Sequence, residues 1–154
     1  MSSKHQESQS RNWRQKSFCS QWRGMRTLLR QSPMLPRFRS ALRIYPVTGG
    51  FAWIHWLAAN ITRFEIRENE SQAADDFVQG RNSWTSIQGG EQTTELSCYY
   101  GGMTPPDKPH IYELHVYALD KMLDLERGFL LNELYREMDG HILDQFTLKG
   151  VYGN

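Results

Sequence analysis

Gly50-Phe51-Ala52-Trp53-Ile54-His55-Trp56-Leu57-Ala58-Ala59-Asn60-Ile61 is the stretch on which the fold turns. Successive side chains of a β-strand point to opposite faces, so residues two apart share a face. Read that way, Phe51–Ile61 is a strand with Trp53, His55 and Leu57 on one side and Ile54, Trp56 and Ala58 on the other. Both sides are apolar, which predicts a central strand covered on both faces. Pro46 to Gly50, just before it, reads as a turn.

A second stretch, Tyr100-Gly101-Gly102-Met103-Thr104-Pro105-Pro106-Asp107-Lys108-Pro109-His110-Ile111-Tyr112, repeats the theme. Two glycines permit backbone shapes closed to other residues. Three prolines stiffen the turn and remove amide donors. From His110 to Ala118 the chain alternates again, with His110, Tyr112, Leu114, Val116 and Ala118 on one face. Each strand therefore projects a histidine and an aromatic together. If the two strands are neighbours, two imidazoles and two rings converge on one concavity suited to an anionic or polar small ligand. The plainer reading is that each histidine is a satisfied core or surface residue and the proline turn only a rigid connection.

The rest of the chain supplies context. Its 154 residues suit one domain. No run approaches the roughly 18 apolar residues of a membrane span, and the start lacks an apolar signal core. Cys19 and Cys98 make neither a metal spacing nor a disulfide framework, so a reduced, cytoplasmic protein is expected. His115 falls on the strand face opposite His110, no His-Glu-x-x-His occurs, and neither metal nor cofactor is expected. Ser83 and Ser86 sit in no Gly-x-Ser-x-Gly setting, which argues against a serine hydrolase.

Charge divides the chain unevenly. Residues 1–44 hold ten Lys or Arg and a single acid, Glu7, whereas the remainder holds eight basic and sixteen acidic residues. Basic arms often meet nucleic acid or acidic lipid, and Trp13, Phe18 and Trp22 interleave with Arg11, Arg14, Lys16 and Arg23. The segment has no nucleic-acid-binding motif, so nucleic acid is disfavoured as a partner. Met25–Gln31 reads as a short helical piece, and Thr62 to Gly90 as a polar, loop-rich stretch of the length that is often functional. Helical spacing returns over Phe129–Met138. Beyond Gly140 the reading is a second short helix over His141–Gln145 and a last strand over Thr147–Tyr152.

The two motifs, in this order, resemble the phosphatidylethanolamine-binding protein family, in particular its bacterial YbhB/YbcL, Raf-kinase-inhibitor-like branch. The resemblance covers roughly residues 45–154. It implies a mainly β (α+β) fold: an antiparallel β-sandwich with short C-terminal helices and, here, an atypical N-terminal part. The expected organisation is a basic arm over 1–44 and a family domain over 45–154. Family members normally carry an Asp-x-Asp-x-Pro-like motif upstream of the histidine strand, but no aspartate precedes Asp75 here. The Arg, Ser, Gln and Trp excess of the arm is what an out-of-frame reading can produce.

The resemblance further implies a non-catalytic protein that binds an anionic ligand, such as phosphate or a phospholipid head group. Its site would comprise Trp53, His55, Gly102, Pro105, Pro106, His110 and Tyr112. Partly protonated His55 and His110 would donate hydrogen bonds near neutral pH. Trp53 and Tyr112 would supply walls, and Pro105 and Pro106 the rim. The stretch Phe77–Trp84 would run toward the ligand. The alternatives are a kinase- or protein-regulatory interaction domain, and a damaged family member with impaired binding.

Overall fold

The computed structural model describes residues 37–45 and 52–153, the first of these segments as backbone only. Two compact units divide them. The larger holds Pro36–Arg63 and Ala74–Asn154, and the described part of the smaller is Phe64–Ala73. In the smaller unit, Asn69 in a left-handed conformation leads into a 3-10 turn over Glu70–Gln72, and the Glu70 carboxylate accepts the Arg67 N–H. The expected Met25–Gln31 helix and Pro46–Gly50 turn lie outside the described residues.

The larger unit is built on a five-stranded sheet in the order β3-β2-β1-β4-β5. Its strands are β1 (Arg37–Tyr45), β2 (Trp53–Ala59), β3 (Val78–Gly80), β4 (His110–Leu119) and β5 (Ile142–Tyr152). Every pairing is antiparallel. The mainly β, α+β expectation holds. The last residues of the basic 1–44 segment supply the middle strand, β1.

β2 is an interior strand, paired on both edges with β1 and β3, as its apolar faces require. β4 is buried at His110, Tyr112, Leu114, Val116 and Ala118 and alternates with partly exposed positions, the signature read from sequence. The unit's described residues also form a short helix, α1 (Thr94–Ser97), a longer one, α2 (Leu131–Met138), and 3-10 turns over Ser83–Thr85 and Ile87–Gly89. In α2 the Glu133 carboxylate accepts the Leu130 N–H at 2.6 Å, satisfying one of the donors a helix start leaves open.

Leu134 and Met138 stand one turn apart on α2 and pack with Leu57, Ala59, Leu119, Leu123 and Phe129, all nearly sealed from water. Gly80 admits this packing: a Cβ there would lie 2.5 Å from the Phe129 carbonyl oxygen and 2.7 Å from its ring. Asn60 closes the end of β2 in a left-handed turn, φ 64°. Its amide donates to the Leu123 carbonyl at 3.0 Å, and its carbonyl accepts the Leu123 N–H at 2.8 Å.

One expected element does not form. His141–Gln145 is not helical. After Gly140, at φ 73°, β5 runs from Ile142 to Tyr152 along the open edge of β4. Five residues gain little as an isolated helix, whereas the β4 edge offers a full ladder of backbone partners. Among the described residues β5 is the outer strand; it is exposed on both faces from Ile142 to Thr147, and beyond that Leu148, Gly150 and Tyr152 are half-buried on one face.

Candidate functional site

A bulge in β2 sets the site. Trp53 pairs with Ile44 and Trp56 with Leu42, so two residues of β2, Ile54 and His55, oppose the single Arg43 position of β1. Such a bulge breaks the two-residue alternation and re-aims side chains. Directly paired residues share a face, and the β4 partners of Ile44 and Leu42 are Tyr112 and Leu114. Trp53 and Trp56 therefore lie on the Tyr112 face, while Ile54 and Leu57 pack on the α2 side. The strict alternation expected for Phe51–Ile61 is thus corrected: from Trp56 onward the faces exchange, so that Trp56 and Ala58 join the face of Trp53 and His55 and Leu57 leaves it.

The strands bearing the two histidines are not neighbours, because β1 lies between them. Their rings meet across it. The His55 and Tyr112 centroids are 5.7 Å apart, and Trp53 stands 6.2 Å from His55. Tyr152, opposite His110 in the β4–β5 ladder, meets Tyr112 edge-on at 6.0 Å. Edge-to-face contacts of this kind favour a fixed ring arrangement. His110 leaves β4 on the same side as Tyr112, two residues away.

Burial decides the protonation of this cluster. His55 is 7% exposed, and its Nδ1 has no hydrogen-bond partner among the described residues. Loss of hydration lowers its pKa from 6.5 to about 4, against a smaller upward pull from a backbone hydrogen bond with Gly102. His55 is therefore neutral near pH 7, and the expected partial protonation of this imidazole is corrected. Burial, reinforced by Tyr152, pushes the Tyr112 hydroxyl up to about 12, so it keeps its proton.

His110 is also buried, but it has a partner that sequence reasoning did not single out. Its Nε2 lies 2.7 Å from Oδ1 of Asp107, three residues earlier. The hydrogen bond from His110 holds the Asp107 carboxyl below the usual carboxylate range. The spacing Asp-x-x-His was visible, yet nothing local dictates that the bend before β4 turns the carboxylate back onto the ring.

The remaining wall comes from Asn82-Ser83-Trp84. The Ser83 hydroxyl accepts the Ile54 N–H at 2.8 Å, and Asn82 caps the 3-10 turn by accepting the Trp84 N–H. The Asn82 amide also donates to the Tyr99 carbonyl. Trp84 then meets Trp53 edge-on at 5.0 Å. It also fills the space over Gly101, where a Cβ would stand 2.6 Å from its indole nitrogen. Gly101 in turn donates its N–H to the His55 carbonyl at 2.9 Å. Phe77–Trp84 thus reaches the His55 strand.

Gly102 follows at φ 71°, and among the described residues nothing lies within 4 Å of where a side chain would begin. Pro105 is buried and Pro106 exposed in the turn beyond it. Trp53, His55, Gly102 and Tyr112 are therefore drawn together, with His110 beside Tyr112. Tyr152 and Asp107 are the residues that only the fold reveals, and within the Phe77–Trp84 stretch it is Trp84 that meets the cluster.

Comparison with known proteins places the chain in a family and supports its fold. Residues 44–153 match the family model for phosphatidylethanolamine-binding protein. The uncharacterized protein YxkA of Bacillus subtilis is 48% identical over 103 residues, 65% of this chain and 61% of that protein. A UPF0098 protein of Chlamydia pneumoniae is 35% identical over 101 residues, 65% of this chain and 59% of its own. The chain thus spans about three-fifths of the length of these curated relatives.

Among solved structures, a putative phosphatidylethanolamine-binding protein homologue, CT736 of Chlamydia trachomatis, superposes with a TM-score of 0.62 at 26% identity, covering 80% of this chain and 76% of that one. Escherichia coli YbcL, at 20% identity, shares the fold with a TM-score of 0.57 over 80% and 74% of the two chains. With the family model matched over most of its length, the chain belongs to the phosphatidylethanolamine-binding protein family.

Proposed function

We propose that the protein binds a small anionic ligand, a phosphate group free or carried on a head group, and does no covalent chemistry on it. Family membership supports a binding role in general. The observation that carries the specific reading is the meeting of the His55 and Tyr112 rings across β1, near Gly102, which no described residue crowds. In this reading Tyr112 and neutral His55 act as oriented, desolvated donors, and His110 provides a third. Trp53 and Trp84 form the apolar wall, and Pro105 and Pro106 hold the turn that carries Gly102.

Neutral donors are individually modest, so each loss should be small but measurable. His55→Ala is expected to weaken phosphate or phosphoethanolamine binding by about 1 kcal/mol, the net worth of one ordinary hydrogen bond. His110→Ala should weaken it by at least as much. Calorimetry decides: unchanged affinity in both variants removes the site.

A further inference from the structure

Asp107 sits in the bend before β4, and its side chain is 44% exposed while that of His110 is 8% exposed. The 2.7 Å contact means that His110 Nε2 already faces an anion belonging to the chain itself. A ligand phosphate approaching that nitrogen would stand beside a like charge, which is unfavourable unless the carboxylate moves away. His55 differs: its buried Nδ1 faces no such group among the described residues. Half in water, the Asp107 carboxylate can exchange the imidazole for solvent and remain hydrated.

We propose that Asp107 is a resident anion guarding the site, and that a bound phosphate replaces its carboxylate on His110. This rests on the phosphate-binding reading above. A positioning role, with Asp107 holding the His110 ring in one orientation for the ligand, predicts the opposite sign when the carboxylate is removed.

The test compares the full chain with its Asp107→Asn and Asp107→Ala variants. Inorganic phosphate is titrated by calorimetry, and capture is measured on phosphatidylcholine vesicles with and without phosphatidic acid. Asparagine keeps an acceptor for His110 but no charge, whereas alanine removes both. Binding should tighten by about two- to fivefold in Asp107→Asn, the range typical of an exposed charge pair, and at least as much in Asp107→Ala. A gain with inorganic phosphate identifies the free anion as sufficient. A gain confined to vesicles containing phosphatidic acid identifies the head group.

Unchanged or weaker binding in the variants, or weaker binding in Asp107→Ala alone, overturns the guard and leaves the pocket standing. Absence of binding in all three chains, each shown folded by circular dichroism, removes the phosphate reading and the guard with it.

Discussion

The two faces of the sheet are closed in different ways. On the α2 side, Leu57, Ala59 and Leu119 meet Leu134, Met138 and Phe129 in an all-apolar contact from which water is nearly absent. On the other side, Trp84 meets Trp53 and His55 meets Tyr112 edge-on, Trp53 and His55 are tilted to each other, and each ring carries a polar atom. The first face gains stability from area removed from water. The second buries nitrogens and a hydroxyl, which costs stability wherever a partner is missing. The contrast teaches that the ring face gives up some stability for polar atoms held in a fixed arrangement, and the α2 face offsets that loss.

The largest effect should come from breaking the apolar face. Leu134→Ala is expected to cost about 2–5 kcal/mol in urea unfolding, through lost burial and a residual cavity. Phosphate affinity of the molecules that remain folded should not change. A large loss of affinity in folded Leu134→Ala would mean that the two faces are not independent.

The ring face should reveal itself through pH. His55 titrates near 4 when folded and near 6.5 when unfolded. Between those values the unfolded chain takes up a proton that the folded chain refuses. Its contribution is therefore fully present above pH 6.5 and is lost as the pH falls toward 4, about 3 kcal/mol in all. Urea unfolding at pH 7 and pH 4 should show that decline, and His55→Phe should flatten it. An equal pH slope in the variant would place the effect elsewhere.

A smaller loss tests how the wall is held. A double-mutant cycle between Trp53 and Trp84 should give a coupling of about 0.5–1.5 kcal/mol, the usual worth of an edge-to-face pair beyond its buried area. Zero coupling would show that the hydrogen bond from the Ile54 N–H to Ser83, and not the rings, holds this loop on β2.

Legibility in the sequence followed the range of the forces involved. Alternation gave β4 almost to the residue, and the spacing Phe129–Met138 placed the helix at Leu131–Met138. His110 and Tyr112 share a face because two residues of extended chain guarantee it. The same rule failed at Leu57, because the bulge depends on how β1 lies beside β2. It failed again over His141–Gln145, where a vacant strand edge outweighed weak local preference.

By itself the sequence determined that each of two strands carries a histidine with an aromatic two residues away. It also determined that glycine and proline shape the turn before His110. These are properties of adjacent residues, fixed by covalent geometry and local sterics. Only the tertiary structure decided that β1 separates those strands while their rings still touch, that His55 is neutral, and that Asp107 rests on His110. Proton affinity and ring contact depend on what surrounds a group in space, and that is set by partners far away along the chain or by how a bend happens to close.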